Sequence, residues 1–208
     1  MVRWPAEPPY INQAISRLLQ GAVIAFPTDT LYAIGARARD PSAVRRLYAI
    51  KRRPADQPVV LLVADATQVP EWAIVTPQAE DLMTRYWPGA LTLVLMRRPG
   101  APIVGAGGST LAFRAPEHPV ALELLRGLTE PIASSSANYA GAPPPADAGS
   151  VEAAFAQELD LILDGGPANG QPSTILDLSG TEPRILRQGL IPAADLIPRL
   201  KPESTGSS

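Results

Sequence analysis

The sequence predicts one mixed α/β (α+β) domain around a single large sheet, and three observations carry that expectation. Short apolar runs bounded by turn residues interleave with amphipathic stretches along the chain. No repeat or linker divides the 208 residues, a length suited to one generous domain. Hydrophobic residues make up 46% but aromatics only 5%, so the core must be built mostly from Leu, Ile, Val and Ala.

The elements follow in order. Tyr10 to Leu19 places Ile11, Ile15, Leu18 and Leu19 at helical spacing, and Gly21 stops that helix. Ala22 to Phe26 is a short apolar strand, broken by Pro27-Thr28-Asp29-Thr30. Asp40-Pro41 pairs an N-cap with a proline at the first helical position, opening a helix over Ser42 to Ile50. Val59 to Val63 is an unbroken apolar strand of the kind covered on both faces. Thr76-Pro77 repeats the capped start of a helix that runs to about Tyr86 and ends at Trp87-Pro88-Gly89. Strands are expected at Leu91–Met96, Thr110–Arg114 and Pro131–Ala133, with a helix near Val120 to Arg126. Beyond Pro143-Pro144-Pro145 come a helix from Val151 to Glu158 and strands at Leu161–Leu163, Thr174–Leu178 and Arg184–Leu186. The domain is expected to occupy residues 1–200, with 201–208 as a flexible C-terminal tail.

Composition excludes several chemistries. A net charge of −2 argues against non-specific duplex binding, although a cleft can concentrate cations that the whole-chain sum hides. There is no cysteine and one histidine, His118, which removes disulfides, zinc ribbons, iron–sulfur clusters, thiol nucleophiles and histidine metal clusters. His118 precedes Pro119 at a helix start and is expected to be a cap or surface residue. No apolar run reaches the roughly 18 residues that span a membrane, and Met1 to Pro5 lacks a signal-peptide pattern. A cytoplasmic protein is the expectation. No Walker A loop or Gly-x-Ser-x-Gly elbow is present. Gly105 to Thr110 fails the dinucleotide fingerprint because Thr110 stands at the third glycine position, with a strand following.

Four polar segments at element ends remain. Pro27-Thr28-Asp29-Thr30 is an ordinary turn or a ligand loop after a strand. Lys51-Arg52-Arg53-Pro54 offsets a helix dipole or binds an anion. Arg114, ending an apolar strand, pairs with a carboxylate or holds a ligand, its planar fork suiting carboxylate or phosphate. Ser134-Ser135-Ser136-Ala137-Asn138, after a strand, is a polar turn or an anion-binding loop. Residue chemistry alone supports only anion binding near strand ends.

Taken in order, seven stretches resemble the YrdC-type family of threonylcarbamoyl-AMP synthases. They are Phe26 to Tyr32, Lys51 to Pro54, Trp87 to Thr92, Phe113 to Pro116, Ser136 to Asn138, Ser173 to Asp177 and Ile185 to Gly189. The resemblance implies a twisted open mixed sheet with flanking helices and a large concave cationic cavity. It also implies that threonine and bicarbonate form a carbamate, which attacks the α-phosphate of ATP and expels pyrophosphate. It implies Mg²⁺ carried by ATP, no prosthetic group and no protein metal site. The product would pass to a tRNA threonylcarbamoyltransferase for position 37, with room for weak RNA contact. By motif match, Thr30, Arg114, Ser134 and Ser173 would hold threonine and its carbamate. Arg53, Thr110, Ser136 and Arg187 would contact ATP, with Lys51 and Asn138 supporting phosphates or metal, and Lys51, Arg53, Ser136 and Asn138 would form the catalytic set. Removing Arg53 or Arg114 would then abolish activity with the fold intact.

Departures from the family pattern fall at Ala33, Gln57, Leu62 and Pro144. The alternatives are an RNA-binding paralogue without synthase activity, and carbamoyl-adenylate chemistry within a larger carbamoyltransferase. Scarce aromatics count against the first, and missing cysteine zinc sites against the second.

Overall fold

Prolines set where the first four helices begin. In this computed structural model, α1 (Pro8–Leu19), α2 (Pro41–Ile50), α3 (Pro77–Tyr86) and α4 (Pro119–Leu128) each start on proline. Proline's fixed φ suits the first turn, and its missing N–H is not needed there. The first helix therefore starts two residues ahead of the expected Tyr10. Asp40 caps α2, accepting N–H bonds from Ser42 (2.8 Å) and Ala43 (3.1 Å), and Thr76 caps α3 through Ala79 N (3.2 Å). His118 takes the N-cap position of α4 but makes no side-chain cap bond. Two further helices are α5 (Ala148–Phe155) and α6 (Ala193–Leu196). The α5 helix starts three residues ahead of expectation because Asp147 accepts from Ser150 N at 2.8 Å. The structure describes residues 1–52, 54, 57–105, 108–139, 142–155 and 157–196; the expected tail lies outside them.

The strands are β1 (Val2–Pro5), β2 (Ile24–Phe26), β3 (Ala33–Arg37), β4 (Val60–Leu62) and β5 (Leu91–Met96). They continue as β6 (Thr110–Arg114), β7 (Ile132–Ser136), β8 (Leu161–Asp164), β9 (Thr174–Asp177) and β10 (Arg184–Arg187). All ten form one open mixed sheet in the order β1-β8-β2-β3-β7-β4-β6-β5-β9-β10, with β1 and β10 as edges. The pairs β1–β8, β2–β8, β4–β6 and β5–β9 are parallel, and the rest antiparallel. Two strands, β1 and β3, were not anticipated. The second is small-residue rich (Ala33-Ile34-Gly35-Ala36-Arg37), and pairing with β2 and β7 on its two sides makes it a strand. Likewise the Ser134–Ser136 run, expected as a loop, continues β7, because Ser134 to Ser136 pair with Gly35 to Ala33.

Alternation along each strand sends one set of side chains to each sheet face. One face carries Leu61, Leu93, Phe113, Ala133 and Leu176, packed beneath α2, α3 and α5 in the larger core. The other face carries Ile24, Phe26, Leu161 and Leu163, covered by α1 and α4, which pack on one another with Ile15 lying against Gly127. Gly35 allows this second layer to close, since a Cβ there would stand 2.5 Å from Ile132 Cγ2. The smaller core reaches Ile132 on β7 and Leu62 at the end of β4, so among the described residues α1 and α4 leave the half of that face beyond them, over β6, β5 and β9, without a helical cover. Among the described residues no helix is long and apolar enough to cross a membrane.

Candidate active site

The uncovered half of the sheet is the floor of a cavity of about 270 Å³. Its floor is apolar. Val60 sits beside Ala112 in register, Ala112 beside Val94, and all three line the cavity. Its rim is polar, formed where strands end: Thr30 after β2, Arg114 at the end of β6, Ser134 and Ser136 on β7, Ser173 before β9, and Arg187 on β10. The structure therefore brings six of the ten expected site residues to one cavity. Ligands in open α/β sheets gather at strand ends for the same topological reason.

Arg114 is the most constrained of the six. It is only 6% exposed. Nε donates to Gly89 O (2.9 Å), Nη1 to Thr30 Oγ1 (2.7 Å) and Nη2 to Asp29 Oδ1. Asp29 Oδ1 also accepts from Glu117 N at 3.0 Å, tying the pair to the start of α4. The first of the two sequence-level options holds, since Arg114 pairs with a carboxylate, and the residue also lines the cavity. Three of its five donors are used by described residues, which leaves two. Burial pushes the guanidinium below its usual range, Asp29 pulls it back in part, and Arg187 pushes it down further. The two arginines therefore feel each other across the cavity. Gly89 supports this acceptor, because a Cβ there would stand 2.6 Å from Tyr86 O.

On the opposite rim, Arg187 Nε and Nη2 both donate to Ser173 O (3.1 and 2.9 Å), and Nη2 also reaches Ser173 Oγ (3.1 Å). Burial lowers the Arg187 guanidinium as well. Ser173 Oγ lies 2.8 Å from Thr92 Oγ1 on β5. Gly189 packs against this segment, and a Cβ there would overlap Pro172 O and the Ser173 carbonyl.

Of the remaining four expected residues, three are described and lie outside this lining. Thr110 shares a face of β6 with Ala112 and Arg114 by strand alternation, but is not in the lining. Lys51 ends α2 and is 4% exposed; its ammonium turns behind β7 and donates to Ser136 O and Asn138 O. Asn138 accepts from Ser136 Oγ (2.5 Å) and donates to Ala142 O (2.7 Å), pinning the loop that leaves β7. Arg53 lies outside the described residues. Of the departures, Ala33 and Leu62 both line the cavity, with Ala33 paired across to Ser136. Gln57 O accepts from Tyr48 Oη at 2.8 Å, and Pro144 is half-buried in the loop before α5.

Sequence reasoning passed over Asp29, Thr92 and Tyr32 as site residues. Each sits inside a stretch already singled out, but their partners come from distant strands. Tyr32 lines the cavity, and its Oη donates to Gly166 O (2.8 Å) and accepts from Gly165 N (3.3 Å), fastening the β8–β9 loop beside the Thr30 loop. Gly166 holds φ +82°, a conformation that suits glycine. Burial pushes the Tyr32 phenol from 10.0 up to about 12. The folded state thus keeps a proton the unfolded chain releases. Its contribution to stability is complete below pH 10.0 and lost progressively as pH rises to about 12. Alkaline denaturation midpoints of the wild type and Tyr32→Phe will show it: the variant should lack this segment of pH dependence.

The profile of the Sua5/YciO/YrdC family, described as "Telomere recombination", matches residues 16–189. The threonylcarbamoyl-AMP synthase of Bacillus subtilis is 43% identical over 185 residues, covering 87% of this chain and 54% of that protein. Pyrococcus abyssi Sua5, solved with L-threonine, superposes with a TM-score of 0.89 at 39% identity, covering 96% of this chain and 59% of the other. Escherichia coli YciO superposes at 0.82 with 29% identity, covering 91% and 95%. The chain spans little more than half the length of the first two.

Proposed function

The chain belongs to the Sua5/YciO/YrdC family, and on that premise we propose that it is a threonylcarbamoyl-AMP synthase, a nucleotidyltransferase. One observation supports this most. A buried guanidinium, Arg114, held by three neighbours, retains two N–H donors on a cavity whose far rim carries Arg187. Such a cavity can hold two anions side by side, which is the central difficulty of joining a carbamate to a triphosphate.

In the proposed reaction the threonine amine adds to bicarbonate carbon and water leaves, giving a carbamate. A carbamate oxygen then bonds to the α-phosphorus of ATP as the bond to pyrophosphate breaks. In-line transfer at phosphorus depends on positioning and on stabilising charge. Arg114, Thr30, Ser134 and Ser173 would hold threonine and the carbamate; Arg187, Ser136, Thr110 and Arg53 would meet the nucleotide. Lys51 would act through the backbone, keeping the Ser136–Asn138 loop against the cavity rim. The described residues gather no group of three His, Asp or Glu side chains able to hold a metal. Mg²⁺ would come with the ATP phosphates, neutral oxygens such as Ser136 Oγ and Asn138 Oδ1 serving on the protein side. When bound it neutralises phosphate charge and eases departure of pyrophosphate. The labile product would pass to a tRNA threonylcarbamoyltransferase in the cytoplasm. The RNA-binding alternative gains nothing from the cavity, where Tyr32 is the one aromatic among the lining residues and is fully buried.

Pyrophosphate release from ATP tests the reading. Release should require threonine and bicarbonate together. Equal release without threonine, or none with both present, would overturn it.

A further inference from the structure

Thr92 stands on β5 with no exposed surface, and among the described residues its hydroxyl has one partner, Ser173 Oγ at 2.8 Å. A hydroxyl offers one proton and two lone pairs. Two arrangements are therefore open to the pair. If Ser173 donates to Thr92, the Thr92 proton is left buried without an acceptor, a costly state. If Thr92 donates to Ser173, the proton of the fully buried Thr92 is used. Ser173 Oγ then accepts twice, from Thr92 and from Arg187 Nη2 (3.1 Å). Its own proton is left without a protein acceptor among the described residues, but both residues line the cavity and only Ser173 keeps exposed surface there, 5% against 0% for Thr92. Burial thus selects the second arrangement.

We propose that Thr92 is a positioning residue that fixes Ser173 as a hydrogen-bond donor toward an anionic oxygen of the substrate. The proposal rests on the synthase reading and adds to it a residue that need not touch substrate. Two donors, Thr92 and Arg187, converge on Ser173 Oγ, so its remaining proton is polarised outward. The position then accepts a carboxylate or carbamate oxygen and disfavours an ammonium.

Steady-state pyrophosphate release with threonine as the varied substrate, on the full chain, tests this. Thr92→Val removes the hydroxyl and keeps the volume. Its KM for threonine should rise roughly fivefold, the value of one ordinary hydrogen bond, with kcat little changed. Thr92→Ala should move KM the same way, and Thr92→Ser should restore it. In a Ser173→Ala background, Thr92→Val should add nothing, which a merely structural role would not predict. A KM that is unchanged or lower in Thr92→Val and Thr92→Ala overturns the proposal, as does a further loss in the Ser173→Ala background. If the wild type releases no pyrophosphate, the synthase reading falls instead.

Discussion

Replacing Arg114 with alanine is expected to abolish pyrophosphate release and also to lower the melting temperature. The sequence alone suggested that the fold would be untouched, but Arg114 is buried against Asp29 and bridges Gly89, Thr30 and Asp29. Removing one member of a buried ion pair strands the other, at a cost on the order of 3 kcal/mol. For a chain of this size that corresponds to about 10 °C. The double variant Asp29→Asn, Arg114→Met removes both charges and should recover most of the melting temperature, because neutral replacement of a buried pair is nearly free. It should remain inactive. Differential scanning calorimetry beside the pyrophosphate assay separates the two effects. An active, fully stable Arg114→Ala would remove Arg114 from both the site and the scaffold.

Gly189→Ala should be nearly as damaging for a different reason. The added methyl would overlap Pro172 O and the Ser173 carbonyl, and backbone cannot step aside as a flexible side chain can. Either the Pro172–Thr174 backbone moves, carrying the Ser173 carbonyl that accepts from Arg187 Nε and Nη2, or β10 lifts from β9. Displacements near 1 Å at a reacting centre cost about a hundredfold in rate. Because β10 is an edge strand, circular dichroism should change little while turnover collapses. Wild-type turnover would show that Arg187 does not depend on this contact.

How much of this could be read beforehand follows from the range of the forces involved. The starts of α2 and α3 were legible, since a cap and a proline act within four residues at Asp40-Pro41 and Thr76-Pro77, whereas α1 and α5 begin ahead of expectation. Central strands such as Leu91–Met96 and Thr110–Arg114 announced themselves by apolar content, and their bounds agree with the structure. The β3 strand did not, because Ala33, Gly35 and Ala36 have weak strand preference and owe their extension to neighbours on both sides. The serine run misled for the same reason: polar residues that suit a turn here line a cavity from within a strand. Motif order pointed to Thr30, Arg114, Ser134, Ser136, Ser173 and Arg187, which share one cavity. It could not show that Lys51 turns its ammonium onto backbone carbonyls of Ser136 and Asn138, since those partners are more than eighty residues away.

The half-finished second layer has one more consequence. Where α1 and α4 stop, Val60, Val94 and Ala112 meet the cavity instead of another helix, so whatever settles there takes the place of missing core. An occupant is then a temporary structural member as well as a reactant. Folding and occupancy become linked equilibria: each bound molecule adds to the stability of the fold by mass action, and each departure returns the molecule to its looser, unroofed form.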